Sequence, residues 1–160
     1  MSMVATVFVG ENPSDVRPGQ TLRLSPAALA EKERIKSARL KILLVDDETR
    51  FREIVGRKLR KIYLAEVDEV GGAEEALKFL ETGRHFDLVL MDVSMQPIDG
   101  FQACAEMQSR GVKARIVLMT GFDLSDFPKR ADSLRVDLLR KPLQTDLLQK
   151  VLLRCVEGRS

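Results

Sequence analysis

Acidic side chains stand directly after two apolar runs of this sequence. "KILLV" (residues 41–45) precedes Asp46 and Asp47, and "LVLM" (residues 88–91) precedes Asp92. Short apolar runs bounded by charge are typical of strands buried in a parallel sheet. In such sheets the carboxyl ends of neighbouring strands share one edge, where ligands bind. We therefore expect three carboxylates to meet there, and they can stay ionised together only with a bound cation.

Two more predicted strand ends carry groups that suit a phosphate. "IVLM" (residues 116–119) precedes Thr120, and "DLLR" (residues 137–140) precedes Lys141. A threonine hydroxyl is a hydrogen-bond donor, and a lysine is a point charge for a phosphate oxygen. Oxygen-only ligands suit Mg²⁺, which keeps several waters and adds phosphate oxygens. The predicted chemistry is attack of the Asp92 carboxylate on a phosphoryl group.

Strands and helices are predicted to alternate from residue 41 onward. The predicted strands are 41–45, 64–70, 86–92, 114–121 and 136–142. The predicted helices are 49–62, 72–83, 101–111, 124–135 and 145–158. This order predicts an α/β fold: a doubly wound, five-stranded parallel sheet with helices on both faces. Pro128 interrupts the fourth helix, which we expect to be short or irregular.

Residues 1–40 differ from the main domain predicted over residues 41–160 and form an N-terminal extension. "TVFVG" (residues 6–10) is a possible short strand, and residues 11–20 have the composition of turns. A helix is predicted from Ser25, as its N-cap, and Pro26. Because it has few large apolar residues, we expect an exposed helix or linker; whether it docks on the main domain or on a partner is left open.

Composition argues against several classes of protein. The net charge is +2 and lies in residues 1–40, because residues 41–160 hold twenty basic and twenty acidic side chains. This balance argues against direct binding of nucleic acid. Two cysteines are too few for a disulfide framework and fit a reducing cytosol. No apolar run approaches the roughly 18 residues of a membrane span, and no signal peptide is recognisable, so we expect a cytoplasmic protein without membrane insertion.

Four segments together resemble the receiver domain of response regulators in two-component signalling. They are "KILLVDDE", "DLVLMDVSMQPIDG", "IVLMTG" and "LLRKPL", and the resemblance extends over about residues 41–158. It implies a flavodoxin-like fold with strand order 2-1-3-4-5. It also implies that the main role is signalling rather than that of an enzyme.

The resemblance assigns a role to each residue of the acidic edge. It implies that Asp92 is the phosphoacceptor and that Thr120 and Lys141 hold the phosphoryl oxygens. It implies a cis peptide bond between Lys141 and Pro142. In the implied Mg²⁺ site, Asp47 binds directly and Asp46 binds directly or through water. The implied ligand set is Asp46, Asp47, Asp92 and the backbone carbonyl of Ser94.

A sensor histidine kinase or a phosphotransfer protein is the partner that the resemblance implies. Phosphorylation is expected to shift the outer face of the fourth helix, fifth strand and fifth helix, and thereby binding of an unknown downstream protein. We expect no fused DNA-binding output domain, because the sequence ends shortly after the fifth predicted helix. We also expect Ser94→Asn to alter the lifetime of the phosphoryl group.

Two positions depart from the family pattern. Gln96 stands where the family usually has proline, with Pro97 following. Leu138 stands where the family has an aromatic switch residue, so a ring cannot switch there in the usual way. Phe122 or Phe127 are possible substitutes. These departures affect the predicted output more than the predicted phosphorylation.

Two other functions, a constitutive adaptor and a phosphohydrolase, compete with the phosphorylated switch. A constitutive adaptor of the same fold would bind its partner independently of phosphorylation, and Leu138 favours it. A phosphohydrolase of the haloacid-dehalogenase type would need Asp-x-Asp after the first strand, whereas Asp46 and Asp47 are adjacent and Glu48 follows. His85, the single histidine, is expected in a surface turn.

Overall fold

A computed structural model describes residues 7–8 and 25–159, in which helices cover both faces of a parallel sheet. The strands are β1 (Val7–Phe8), β2 (Lys41–Val45), β3 (Glu66–Val70), β4 (Leu88–Asp92), β5 (Arg115–Thr120) and β6 (Asp137–Arg140). The helices are α1 (Pro26–Ala38), α2 (Thr49–Tyr63), α3 (Ala73–Glu81), α4 (Gly100–Ser109), α5 (Pro128–Leu134) and α6 (Thr145–Glu157). The sheet order is β1-β6-β5-β4-β2-β3, so the predicted fold class and strand order are confirmed, and β1 adds a sixth strand at one edge.

The central strands are buried on both faces. In β2, Leu43 and Val45 pack with the core under α3, α4 and α5. Ile42 and Leu44 pack with the opposite core, under α1, α2 and α6. Successive side chains of a strand point to opposite faces, so burial on both sides requires the continuous apolar run seen in the sequence.

Two helices refine the predictions made from periodicity. On α2, Val55 and Leu59 are buried, whereas Ile54 is 60% exposed although it shares their apolar spacing. The predicted fourth helix is short and irregular, as expected. A 3-10 turn over Leu124–Asp126 precedes the seven-residue α5, which starts at Pro128.

The N-terminal helix packs on the main domain. Ser25 caps α1 by accepting a hydrogen bond from the N–H of Ala28, as predicted. Ile35 is 1% exposed in the core shared with α2 and α6, so α1 is docked and is not an exposed linker. The Gln149 side chain also donates to the Ala28 carbonyl at 3.1 Å.

The possible strand near residue 7 is also present. Val7 of β1 lies opposite Leu138 of β6, and Phe8 lies opposite Leu139. The strand therefore covers part of the sheet edge formed by β6. The turns expected over residues 11–20 lie outside the described residues.

Candidate functional site

The three predicted carboxylates meet at the carboxyl edge of the sheet. Strands β2 and β4 are neighbours, with Val45 opposite Met91, so the residues that follow them are adjacent. Asp46, Asp47 and Asp92 each have a carboxylate oxygen within 4.8 Å of the others. Asp46 and Asp92 are buried, and Asp47 is exposed. The cluster therefore has a buried base and an open side.

Lys141 lies between the two buried carboxylates. Its Nζ is 2.5 Å from Oδ2 of Asp46 and 3.4 Å from Oδ1 of Asp92. The peptide bond between Lys141 and Pro142, which follows β6, is cis, as predicted. The Lys141 ammonium also lies 4.1 Å from the centroid of the Phe51 ring, within cation–π range. One lysine thus partly neutralises a cluster of three acids.

Thr120 is fully buried at the end of β5, beside the acidic cluster. Asp92 lies opposite Met119, so Thr120 is one residue further along the same sheet edge. Its Oγ1 accepts a hydrogen bond from the backbone N–H of Phe122 at 3.0 Å. Its carbonyl accepts one from the N–H of Lys141 at 2.8 Å. The backbone and side chain of Thr120 are therefore held in place, while its hydroxyl hydrogen is available to a ligand.

Burial sets the protonation of Asp92. Loss of hydration raises the pKa of the Asp92 carboxyl to about 6. The charge of Lys141 opposes this rise, the charge of Asp46 adds to it, and a hydrogen bond from the N–H of Ser94 opposes it. Additional positive charge at this site would favour the ionised form.

A glycine shapes the loop that follows Asp92. A Cβ on Gly100 would lie 2.3 Å from the backbone oxygen of Asp92, so only glycine fits without movement of the backbone. Asp99 caps α4 by accepting from the N–H of Gln102 at 2.8 Å. Gln96, the departure noted in the sequence, precedes a second cis proline bond. The start of α4 is therefore packed directly against the backbone of Asp92.

Two residues near the cluster were missed as site residues in the sequence. The ring of Phe51 covers the Lys141 ammonium, although the sequence shows Phe51 only as one apolar residue of a predicted helix. Arg52 donates to the backbone carbonyl of Asp46, which holds the acidic loop. Their position in the sequence could have indicated a role at the site, because both lie in the first turn of the helix that follows the acid pair.

The positions that bear on output are mostly packed. Leu138 is fully buried in the core, and Phe127 contacts the ring of Phe101 at a centroid distance of 5.6 Å. Phe122 is 57% exposed and lies edge-on to Phe127 at 6.3 Å. The His85 side chain is 72% exposed, away from the acidic edge.

The donor atoms fit a hard cation. Every side-chain ligand of the cluster is a carboxylate oxygen, and one side of it is open. Mg²⁺ favours this combination because it prefers oxygen ligands and retains waters.

Within residues 25–159, no helix is long and apolar enough to cross a membrane.

A family model and the sequences of known proteins match this chain and point to the same family. The family model described as "Response regulator receiver domain" matches residues 42–153. The chain is 34% identical over 113 residues to the transcriptional regulatory protein PdtaR of Mycobacterium tuberculosis, covering 69% of this chain and 54% of PdtaR. The chain thus spans about half the length of this relative.

Solved structures agree with the family match. The signal receiver domain of the putative response regulator NarL from Mycobacterium tuberculosis is 26% identical, with a TM-score of 0.64, covering 76% of this chain and 98% of that one. The chemotaxis response regulator CheY4 of Vibrio cholerae is 27% identical, with a TM-score of 0.63, covering 72% and 98%.

Proposed function

This chain belongs to the response regulator receiver domain family, and from that premise we propose that Asp92 accepts a phosphoryl group in a Mg²⁺-dependent switch. The donor would be a sensor histidine kinase or a phosphotransfer protein. The chain itself would act in signalling, and a downstream protein would respond to its phosphorylation. Residues 41–160 would form the receiver unit and residues 1–40 its extension.

One observation carries this proposal: a single lysine shares a site with three converging carboxylates. Oxygens of Asp46, Asp47 and Asp92 lie within 4.8 Å of one another. Such a cluster is costly without a cation, because like charges that share a small site disfavour ionisation. When bound, Mg²⁺ would supply positive charge for the carboxylates and for the phosphoryl oxygens. Its proposed ligands are the three carboxylates and the backbone carbonyl of Ser94.

Asp92 would be the nucleophile. A lone pair on its carboxylate attacks phosphorus and forms a new O–P bond, and the P–N bond to the donor histidine breaks. The electron pair of that bond stays on the imidazole nitrogen. The raised pKa of Asp92, about 6, leaves the free carboxyl mostly ionised at neutral pH.

Lys141 and Thr120 would then change partners. The ammonium of Lys141 now contacts Asp46 and Asp92, and after transfer it would contact a phosphoryl oxygen. The hydroxyl of Thr120 would donate to a second phosphoryl oxygen. Because the Thr120 oxygen accepts from the N–H of Phe122, its reorientation would reach the loop that precedes α5.

Intact mass measurement tests the proposal. The full chain is incubated with Mg²⁺ and a small-molecule phosphodonor, alongside Asp92→Asn and the control Asp68→Asn, an exposed acid on β3. We expect one phosphoryl group on the native chain and on Asp68→Asn, none on Asp92→Asn, and none in excess EDTA. A phosphoryl group retained by Asp92→Asn would rule out Asp92 as the acceptor.

Leu138 supports a second candidate, a constitutive adaptor. This residue is fully buried where the family has its aromatic switch residue. An adaptor would bind its partner whether or not Asp92 is modified. Amide NMR spectra with and without a beryllofluoride mimic separate the two: shifts in α5 and β6 support a switch, and shifts confined to the acidic edge support the adaptor.

A further inference from the structure

A cavity of about 900 Å³ lies at the opposite, amino end of the sheet. We call it the basal cavity. Its walls come from the residues that precede β4, β5 and β6 and from the last turn of α6. The acidic cluster lies at the other ends of the same strands. The basal cavity is therefore separate from the proposed phosphorylation site.

The lining of the basal cavity is strongly basic. Two carboxylates, Asp87 and Asp137, stand among five cationic side chains, so the lining has a net charge of +3. The cationic side chains are Lys113, Arg115, Arg135, Arg154 and Arg159. His85 adds a further group that becomes cationic when protonated.

Arginines already neutralise both carboxylates. Arg159 donates to both oxygens of Asp87, at 2.8 and 2.6 Å. Arg115 and Arg154 lie 3.4 and 3.5 Å from Oδ2 of Asp137. An incoming anion would therefore not meet an isolated negative charge on this surface.

Two cations are left for an anion. Lys113 and Arg135 are both exposed, and neither pairs with a carboxylate of the described residues. Arg135 is fixed at the end of α5 in a left-handed conformation, with φ of 54°, and its N–H donates to Ala131 and Asp132. Its side chain thus starts from a rigid position on the cavity wall.

The floor of the basal cavity is apolar. Its accessible part includes Val112 and Ala114, which are half-buried, and beside them Phe86, Ile116, Val136 and Cys155 are buried in the core. Small-molecule sites commonly combine an apolar floor, a few polar groups and a volume of roughly 300–1,000 Å³. A purely inorganic anion would leave this floor unused.

We propose that the basal cavity binds an aromatic organic phosphate of the size of a nucleotide. Its ring would lie on the apolar floor, and its phosphate would contact Lys113 and Arg135. The paired arginines would keep the surrounding potential positive. A concave site of this size suits one small ligand rather than an extended nucleic acid.

Isothermal titration of the full chain with AMP tests this proposal. Excess EDTA removes any route through a metal at the acidic edge, and no phosphodonor is present. We expect saturable binding of one AMP per chain, and weaker binding of both adenosine and pyrophosphate. Amide NMR shifts should fall at Ala114 and Val136, near the cavity, and leave Thr120 unchanged.

Matched variants identify the phosphate contacts. Lys113→Gln with Arg135→Asn should weaken AMP binding at least tenfold; asparagine suits the left-handed backbone at 135. Lys129→Gln, an exposed lysine at the other end of α5 and outside the cavity lining, should leave it unchanged.

Four results would overturn the proposal. They are absence of AMP binding at millimolar concentration, equal binding by the double variant, pyrophosphate binding as tightly as AMP, and displacement of AMP by a ten-nucleotide RNA at much lower concentration. The last would indicate a nucleic-acid surface. Each result is independent of whether Asp92 accepts phosphate.

Discussion

The two ends of this sheet carry opposite charge. Three carboxylates and one lysine meet at the carboxyl end, whereas five cations and two carboxylates line the basal cavity at the amino end. Yet residues 41–160 hold equal numbers of basic and acidic side chains. Acidic and basic side chains are therefore separated in space although their numbers are equal. The cause is the parallel sheet, in which all strands end at one edge and start at the other.

The ends also differ in how well their buried carboxylates are paired. Burial alone would raise the pKa of Asp87, but the Arg159 guanidinium and the N–H of Lys41 hold it below its usual range. At the other end, burial raises the pKa of Asp92 to about 6 despite Lys141. Strongly perturbed groups at an open edge are typical of functional sites. The amino end stabilises its charges, and the carboxyl end leaves them available for a ligand.

The largest expected effect comes from breaking the pairing at the amino end. The Asp87 side chain is 4% exposed, and its carboxylate also accepts from the N–H of Lys41 at 2.7 Å. Arg159 is 41% exposed and stays hydrated, so the cost comes from the buried acceptor. Asp87→Asn replaces one accepting oxygen by an N–H group that faces donors, and should lower the free energy of unfolding by about 3 kcal/mol at pH 7. Urea denaturation measures it. Asp68→Asn, in an exposed pair with Arg84, should cost less than about 1 kcal/mol.

The stability difference between the native chain and Asp87→Asn should depend on pH. Because the folded pKa of Asp87 is lowered, its stabilising contribution is present above the unfolded value near 3.8 and is lost as the pH falls through the folded pKa. The difference between native and Asp87→Asn should therefore shrink below about pH 4. A difference that stays constant from pH 7 to pH 3 would show that ionisation of Asp87 contributes nothing.

The next effect concerns the backbone beside the acceptor. A Cβ at Gly100 would lie 2.3 Å from the backbone oxygen of Asp92, and neither group can rotate away. Gly100→Ala should therefore cost about 2 to 3 kcal/mol, as overpacking of a buried site does, and should slow phosphoryl acceptance. Gly121→Ala is the control, because that glycine is exposed and a Cβ there meets nothing within 4 Å. Equal urea midpoints for the two variants would contradict the predicted clash.

A smaller, stabilising effect is expected at the carboxyl end. Folded Asp92 holds its proton up to about pH 6, whereas the unfolded carboxyl loses it near 3.8, so native stability falls as the pH rises through this window. Asp92→Asn removes that loss and should raise the free energy of unfolding by about 2 kcal/mol at pH 5.5 without metal. Below about pH 4 the two proteins should converge. Thermal unfolding in EDTA measures this difference, and a less stable variant at about pH 5.5 would contradict it.

The sequence predicted one end of the sheet far better than the other. Each acid, hydroxyl or lysine of the carboxyl edge directly follows an apolar run, so strand assignment alone brings Asp46, Asp92 and Lys141 together. The basal cavity has no such signal. Lys113 and Arg135 lie in separate loops after helices, with no motif around them, and tertiary packing places both in the lining of one cavity.

The N-terminal extension shows the same limit. Its helix was predicted from Ser25 and Pro26, because capping is local. Its docking was left open, because Ile35 is the single buried residue that the structure shows in this helix, and one residue makes no recognisable periodic face. Local chemistry thus predicts where an element begins, and partner surfaces decide where it lies.

The smallest expected effect tests whether an uncharged polar group at the amino end of the sheet has a hydrogen-bond partner, as the charged groups there do. Tyr63, the last residue of α2, is 1% exposed, and its hydroxyl has no hydrogen-bond partner among the described residues. An unsatisfied buried hydroxyl costs about 1 kcal/mol or more, so Tyr63→Phe should raise the free energy of unfolding by about 1 kcal/mol. Tyr63→Leu is the control, because it also removes the hydroxyl but loses the ring packing and should be less stable than Tyr63→Phe. A destabilised Tyr63→Phe in urea would mean that the hydroxyl has a partner in solution, and that polar pairing at this end extends beyond its arginines.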